Sequence, residues 1–214
     1  MINHDSIQPS GHQNQANELD SPATHIQWTL ALLHAATALR PEESFGLKWM
    51  DIDWKRNMIR IRRGWSKGKE TAGKNKISMT DVAMHPALAA ALQAWRRETR
   101  YAKDTDWVFA SDRAKGKKPR SACSASKDFL RPAAVKDGVI PEKYKGRFEW
   151  HNLRHSAASF FADNEVNLAV IQAALRHAKP STTAKYIHRN NAVQINAQSK
   201  FLEAINVAKT AAGK

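Results

Sequence analysis

Hydrophobic side chains recur every three or four residues over most of the chain, and this spacing predicts a mainly helical protein. In the first such stretch, Leu30, Leu33 and Ala36 lie on one face of a helix. Pro41 interrupts the pattern and predicts the first position of a short second helix. Residues 1–22 are polar and without periodicity, so they are predicted to be a disordered lead-in.

The spacing changes to every second position between residues 50 and 61, where Asp or Arg alternates with hydrophobic residues. With turn residues at 55–57, this pattern predicts a β-hairpin, and a third strand is predicted at 76–79 after a glycine-containing turn. The resulting small antiparallel sheet should have one apolar face and one face that carries arginines.

Helical spacing returns after the sheet. Leu88, Leu92 and Trp95 share one face of a helix that starts near residue 86. Arg96 and Arg97 are predicted to face away from it. Residues 107–110 predict a short strand or extended link, and a basic loop follows at 115–124.

The remaining hydrophobic spacing predicts further helices around 121–136, 151–163, 167–176, 181–188 and 194–209. Ser181 or Thr182 is the predicted cap of the helix at 181–188, with Tyr186 on its second turn. The predicted fold class is α+β, mainly α, with one helical domain (residues 23–192) that contains a small three-stranded antiparallel sheet. Residues 193–214 are predicted to form an amphipathic tail helix, for which packing within the chain and exchange into a neighbouring subunit are equally good interpretations.

The charge balance points to a polyanionic partner. The chain has 34 Lys and Arg against 20 Asp and Glu, a formal net charge of +14, and nucleic acid is the commonest polyanion. A generally basic surface without a specific partner is the alternative. Cys123 is the sole cysteine and no apolar run approaches the roughly 20 residues of a membrane span, which predicts a cytoplasmic protein.

A histidine pair raises the question of a metal site. His151 and His155 are four residues apart, the spacing of a zinc pair on a helix. No glutamate follows the first histidine, and Arg154 beside the pair would repel a cation. We therefore predict no metal site, and interpret His155 as a packing or capping residue.

Two other polar groups favour an anion site. Arg40 lies at a helix break among apolar residues, and one helical turn brings Glu43 back toward it. A partly buried guanidinium needs a partner or a ligand, although a surface ion pair is the alternative. Tyr186 lies among basic residues such as Lys185, and nearby positive charge favours the nucleophilic phenolate. Two arginines, histidines, a lysine-rich hairpin and a tyrosine together suit phosphoryl transfer without a metal, because guanidiniums match phosphate oxygens.

In this order, these residues resemble the tyrosine recombinase (phage integrase) family over residues 25–190. The run "TALRPEESFGLKWMDID" is similar to its first arginine box, and "HNLRH" to its H-x-x-R box. In "LRHAKPSTTAKYIH", His177 precedes Tyr186 by nine residues, as in the closing box.

The resemblance implies a site-specific DNA recombinase that needs neither metal nor ATP. Arg40 and Arg154 would bind the non-bridging oxygens of the scissile phosphate, with His177 hydrogen-bonded to the same phosphate. His151 would be the general base for Tyr186, which would form a 3′-phosphotyrosyl link and free a 5′-hydroxyl. Glu43 would be the supporting acid.

The resemblance also implies a general-acid lysine on the hairpin, best matched by Lys69, with Lys67 and Lys74 as alternatives. The predicted partner is duplex DNA, bound through phosphates with an affinity that falls steeply with salt. The predicted DNA-binding residues are Arg60, Arg62, Arg63, Lys67, Lys74, Lys115, Lys117, Lys118, Arg120 and Arg176.

Three features depart from the family pattern. Arg176 stands where the family usually has glycine, and the hairpin lacks the usual arginine and proline near its third strand. The N-terminal helical core-binding domain of about a hundred residues, a common domain size, is expected to be absent. A DNA-binding remnant and a topoisomerase-like nicking and closing enzyme are therefore alternatives, and a metal nuclease is disfavoured because no Asp/Glu cluster is available.

Overall fold

Helices build most of the fold, as the hydrophobic spacing predicts. The computed structural model describes residues 22–71, 81–164, 166–186 and 203. The helices are α1 (Pro22–Thr37), α2 (Pro41–Phe45), α3 (Pro86–Glu98), α4 (Ala122–Ala125), α5 (Arg131–Lys136), α6 (Trp150–Asp163), α7 (Leu168–Leu175) and α8 (Pro180–Ala184). A π-helical turn (Ser126–Leu130) joins α4 to α5, and 3₁₀ turns cover Trp49–Asp51 and Glu142–Arg147. None of the described helices is long and apolar enough to cross a membrane.

The predicted hairpin is present within a three-stranded antiparallel sheet. Its strands are β1 (Ile52–Asp53), β2 (Met58–Arg60) and β5 (Asp81–Ala83), in the order β1-β2-β5. The third strand predicted at 76–79 lies outside the described residues, and the strand that pairs with β2 begins at Asp81. Residue 50, which was predicted to begin the alternating pattern of the strand, lies in the 3₁₀ turn instead.

The sheet has the predicted two faces. Ile52 and Ile59 are paired across β1 and β2, and both are buried in the main hydrophobic core. On the other face, the guanidinium of Arg60 donates to the Asp53 carboxylate at 2.5 Å. The alternation in the sequence therefore corresponds to a buried and a solvent-facing side.

A second hairpin was not predicted from the sequence. Strands β3 (Gly64–Ser66) and β4 (Lys69–Thr71) pair through a turn at Lys67 and Gly68, both of which have positive φ (50° and 77°). Trp65 is its one large apolar side chain, so the segment lacks the alternation that identifies a strand. Gly64 packs against Gly46 at the end of α2, where an added Cβ on Gly46 would lie 2.9 Å from the Gly64 carbonyl carbon.

Helix α3 packs on α1 through its predicted apolar face. Leu88, Leu92 and Trp95 are buried. Arg96 does not face away as predicted, because its guanidinium lies over the Trp49 ring at 5.3 Å and donates to the Ala102 carbonyl at 2.9 Å. The chain at 107–110 is the predicted extended link, and makes isolated bridges with Lys48 and Pro119.

Helices α6, α7 and α8 enclose a second, smaller hydrophobic cluster. Ala38, Ala158, Ile171 and Leu175 form its buried part, and the Tyr186 ring packs against it. Tyr186 follows the end of α8 rather than lying on its second turn. The predicted caps Ser181 and Thr182 are wrong, because Pro180 takes the first helical position, which its fixed φ favours. The tail helix predicted at 194–209 lies outside the described residues.

Candidate active site

Arg40 and Glu43 form the first part of the site, at the start of α2. The Arg40 backbone N–H donates to Glu43 Oε2 at 2.9 Å, and its guanidinium donates to Glu43 Oε1 at 3.0 Å. Glu43 therefore caps the helix and orients the arginine in one arrangement. The Arg40 side chain is one-third exposed and Glu43 is buried, which agrees with the partial burial expected from the surrounding apolar residues.

Glu43 also pairs with a second arginine, Arg176. This residue ends α7 in a left-handed conformation (φ 50°, ψ 47°) and is only 6% exposed. Its Nη2 donates to Glu43 Oε2, whereas Nε and Nη1 are buried and have no hydrogen-bond partner among the residues that the structure describes. Burial, the largest cause, lowers the pKa of Arg176, and the Glu43 carboxylate opposes that effect.

Arg154 lies beside this pair, in the second turn of α6. Trp150, Arg154 and Ala158 are the buried residues of the helix, each four positions from the next. The Arg154 guanidinium donates to the carbonyls of Ala38 and Leu175, which ties α6 to the end of α1 and the end of α7. Burial, followed by the charges of Arg40 and Arg176, lowers the pKa of Arg154 to about 10. It stays protonated at neutral pH, and within the described residues the two carbonyls engage two of its five N–H donors.

His151 and His155 lie on the exposed side of α6, next to Arg154. Their ring centroids are 4.6 Å apart, edge to face. Burial, then the charges of His155 and Arg154, lowers the pKa of His151, so it is neutral at pH 7. His155 Nδ1 lies 2.5 Å from the Tyr186 hydroxyl oxygen, a hydrogen bond across 31 residues of chain.

His177, whose ring is parallel to that of Tyr186, completes the group. The two rings are stacked with centroids 6.4 Å apart and an interplanar angle of 11°. His177 Nδ1 is hydrogen-bonded to Thr183 Oγ1 at 3.0 Å. Partial burial, then the charges of Arg154 and Arg40, lowers the pKa of His177 to about 4, so this ring is also neutral at pH 7.

The charge of the group favours an anionic ligand. Arg40, Arg154 and Arg176 are close enough to affect one another, and Glu43 is the carboxylate paired with two of them. Among the residues the structure describes, no cluster of three or more His, Cys, Asp or Glu could hold a metal ion. A phosphate with its negative oxygens would compensate the excess positive charge through forked donors.

The structure thus brings together five of the predicted catalytic residues and the supporting Glu43, but not the lysine. Lys69, the predicted general acid, is exposed at the start of β4, and Lys67 is exposed in the adjoining turn. Lys74 lies outside the described residues. The hairpin packs on α2, which carries Glu43, so the lysines stand on an element adjacent to the site.

The predicted DNA-binding residues divide into two groups. Arg62, Lys67, Lys115, Lys117 and Lys118 are exposed. The others within the described residues are engaged in the protein: Arg60 with Asp53, Arg120 with Asp112, Arg63 with Asp51 and Arg176 with Glu43.

Two of these assignments need correction. Arg63 is mostly buried, and its guanidinium is held between Asp51 and Glu70. Arg176 lies beneath the site rather than on the protein surface, because its side chain turns inward from the helix end to reach Glu43. Neither side chain is placed as a surface contact for DNA.

Sequence reasoning missed the contact between His155 and Tyr186. It treated His155 as a packing or capping residue, whereas the residue is exposed and bonded to the tyrosine hydroxyl. The four-residue spacing from His151 was a usable signal, since it places both rings on one side of the helix. The tyrosine's approach could not be inferred from that spacing.

The fold and this arrangement define a helical domain in which a tyrosine lies beside a cluster of arginines and histidines, and comparison with known proteins identifies its class. A sequence model described as the phage integrase family matches residues 13–192. The chain belongs to this family.

Curated relatives support the same assignment. The chain is 31% identical over 160 residues to the tyrosine recombinase XerA of Pyrococcus furiosus, covering 73% of this chain and 48% of that protein. It is 29% identical over 159 residues to the tyrosine recombinase XerC of Chlamydia caviae, covering 73% of this chain and 45% of that protein. The chain therefore spans about half the length of these relatives.

Solved structures share the fold. The integrase of the Tn1549 transposon, in complex with circular intermediate DNA, superposes with a TM-score of 0.70 at 17% identity, covering 92% of this chain and 66% of that one. A crystal structure of XerA recombinase gives a TM-score of 0.60 at 23% identity, covering 92% and 66%.

Proposed function

We propose that this protein breaks and rejoins duplex DNA at specific sites through a 3′-phosphotyrosyl intermediate, without metal or ATP. Membership of the phage integrase family supports this function, as does the DNA bound in the structure of the Tn1549 integrase. The net charge of +14 favours a polyanionic partner.

One observation carries the proposal. Arg40 lies between α1 and α2, Arg154 on α6, His177 between α7 and α8, and Tyr186 after α8, yet they meet around one position. The described cluster offers forked cationic donors and a hydroxyl nucleophile, the combination that phosphodiester transfer needs. A structural ion-pair network would not require the tyrosine.

The chemistry follows from these groups. Tyr186 Oη attacks phosphorus while Arg40, Arg154 and His177 bind the non-bridging oxygens. The Oη–P bond forms, the bond from phosphorus to the 5′-oxygen breaks, and that oxygen takes a proton from Lys69 on the hairpin. His151 and His155 lie on the tyrosine's side of the helix, where a base must take the phenol proton. Rejoining is the same step in reverse, since the phosphotyrosine conserves the bond energy.

The DNA itself would contact the exposed basic side chains. Arg62 near the sheet and Lys115, Lys117 and Lys118 in the loop before α4 are exposed. Phosphate contacts at these positions would orient the duplex without reading its sequence. Assembly of several copies on DNA through residues 193–214 and association with the nucleoid belong to the same proposal.

The test is capture of the covalent intermediate. A library of nicked duplexes, randomised around the nick, is incubated with the protein in EDTA, and adducts are isolated on a denaturing gel and sequenced. The nick lets the short 5′-hydroxyl strand diffuse away, so the phosphotyrosyl adduct accumulates. We expect an adduct that persists in EDTA, is lost in Tyr186→Phe and remains in Tyr144→Phe, a change to an exposed tyrosine outside the site.

Other outcomes distinguish the alternatives. DNA binding without an adduct at any protein concentration would indicate a binding remnant. An adduct with relaxation of supercoiled DNA but no strand exchange would indicate a nicking and closing enzyme. An adduct that requires a divalent cation contradicts the proposed mechanism.

A further inference from the structure

We propose that His155 is the residue that positions the Tyr186 hydroxyl and takes its proton when the oxygen attacks phosphorus. This assignment rests on the proposed function and names the base within it. It differs from the role that resemblance gives to His151, and it follows from three features of the described structure.

The first feature is the hydrogen bond itself. His155 Nδ1 and Tyr186 Oη are 2.5 Å apart, and the ring centroids are 5.8 Å apart. In a neutral imidazole protonated at Nε2, Nδ1 is the acceptor, so the phenol donates its proton along this bond. A general base must lie within hydrogen-bond reach of the proton it removes. In the described part of the chain, His155 satisfies this requirement, whereas His151 is joined to it through the edge-to-face ring contact.

The second feature is how the tyrosine is held. Its ring packs on the small hydrophobic cluster beneath α6 and α7, and His177 stacks on it. His155 then fixes the direction of the hydroxyl. Packing, stacking and the hydrogen bond come from different elements, so the oxygen has a defined position before DNA arrives.

The third feature is the charge around the pair. His151 contacts His155 from the same helix, Arg154 lies one position earlier in the sequence, and the His177 ring is stacked with the Tyr186 ring. Arg154 and Tyr186 are electrostatically coupled. A proton on His155 adds positive charge near the arginines, and this charge is balanced by the phosphate that the same step brings into the site.

One proton transfer accompanies each bond that forms or breaks. The Tyr186 Oη–P bond forms as the O–H proton passes to His155 Nδ1. The bond from phosphorus to the 5′-oxygen breaks, and this oxygen takes a proton from Lys69. In rejoining, the 5′-hydroxyl gives its proton to the lysine and the tyrosine oxygen recovers its proton from His155.

The contact can be tested without DNA. The protein is labelled with carbon-13 at the tyrosine Cζ, and the resonance lost in Tyr186→Phe is assigned among the three tyrosines. His155→Ala should shift the Tyr186 resonance, while those of Tyr101 and Tyr144 remain unchanged. Ser156→Ala, at the next exposed position of α6, is the matched control. An unchanged Tyr186 signal in His155→Ala would overturn the contact.

The role in proton transfer is tested with the duplex enriched in the capture experiment. Loss of a general base lowers the rate about 10²–10⁴-fold. We expect a loss in this range for His155→Ala, a similar loss for His155→Gln, which keeps polarity but takes no proton, and partial rescue of His155→Ala by imidazole. A substrate with sulfur in place of the bridging 5′-oxygen needs no general acid, so it should restore Lys69→Ala but not His155→Ala.

The results separate this proposal from the function itself. No adduct in the unmodified protein on any duplex defeats the proposed function, whatever the NMR shows. A normal adduct in His155→Ala defeats only the present proposal. Faster cleavage in His155→Ala would mean that the histidine restrains the tyrosine. Rescue of His155→Ala by the sulfur substrate would mean that His155 is the general acid. Either result would overturn the role of His155 as the general base.

Discussion

Arg176 combines two features that are unfavourable for an isolated residue. Its backbone is left-handed, a conformation that suits glycine, and within the described part of the chain its buried Nε and Nη1 have no hydrogen-bond partner. A buried polar group without a partner destabilises the fold by about 1–3 kcal/mol. The one compensation within the described residues is Glu43. Arg176 adds positive charge next to Arg40 and Arg154, and this charge would attract a bound anion.

The stability cost of the left-handed backbone at Arg176 can be measured with two substitutions. Arg176→Gly and Arg176→Ala both remove the guanidinium, but only glycine adopts the left-handed conformation without strain. We expect the glycine variant to be more stable than the alanine variant by about 1 kcal/mol in urea unfolding. Equal stabilities would mean that α7 ends differently in solution.

At the scale of elements, two sides of helix α6 contribute different groups to the site. One side carries the buried Trp150, Arg154 and Ala158, and the neighbouring exposed side carries His151 and His155. A helix places residues four apart on the same side, so one segment supplies both the phosphate-binding arginine and the histidines near the tyrosine. The hairpin β3–β4, by contrast, lies next to the site because it packs on α2.

That packing depends on two glycines. A Cβ on Gly46 would lie 2.9 Å from the carbonyl carbon and 3.0 Å from the Cα of Gly64, and backbone atoms cannot move aside like a flexible side chain. Gly46→Ala should therefore lower the free energy of unfolding by about 1–3 kcal/mol. It should also speed amide exchange in β3 and β4. Gly146→Ala, where nothing lies within 4 Å of the added carbon, is the matched control and should change neither measurement.

The elements also show what spacing can predict. Helices α1, α3, α6 and α7 and the hairpin β1–β2 were predicted because their apolar faces are long or strictly alternating. The hairpin β3–β4 was missed because its register depends on a Lys67–Gly68 turn and on packing against α2, neither of which leaves a hydrophobic period. For the same reason the position of the general-acid lysine stays a prediction.

At the scale of the whole molecule, His34 joins three helices in the core. Its Nδ1 donates to the Leu30 carbonyl of α1 at 2.9 Å, its Nε2 lies 2.8 Å from Ser44 Oγ of α2, and its ring stacks on Trp150 of α6. The side chain is fully buried, and burial lowers the pKa of His34 to about 4. The fold therefore favours the neutral ring.

This burial predicts a pH dependence of stability. Between an unfolded pKa near 6.5 and a folded pKa of about 4, the unfolded chain binds more protons. Stability should be fully present above pH 6.5 and should fall as the pH drops toward 4. The contribution of His34 is about 3 kcal/mol.

The measurement compares urea unfolding of the unmodified protein and His34→Gln at several pH values. Glutamine offers a donor and an acceptor but takes up no proton in this range. The difference in slope between the two proteins isolates His34 from the carboxylates, which also titrate there. Parallel slopes would show that His34 does not contribute.

The sequence by itself determined the fold class, the hairpin β1–β2 and the residue types of the site. Periodicity records which faces are buried, and the spacing of Arg40–Glu43, of His151–Arg154 and of His177–Tyr186 reflects local geometry along one segment. Only the tertiary structure decided which of these segments touch. The turn at Arg176 brings Tyr186 back onto α6 and gives it His155 as a partner, and the same turn buries the Arg176 guanidinium against Glu43. Contacts between residues 31 and 133 positions apart depend on how helices pack, and no local pattern encodes that.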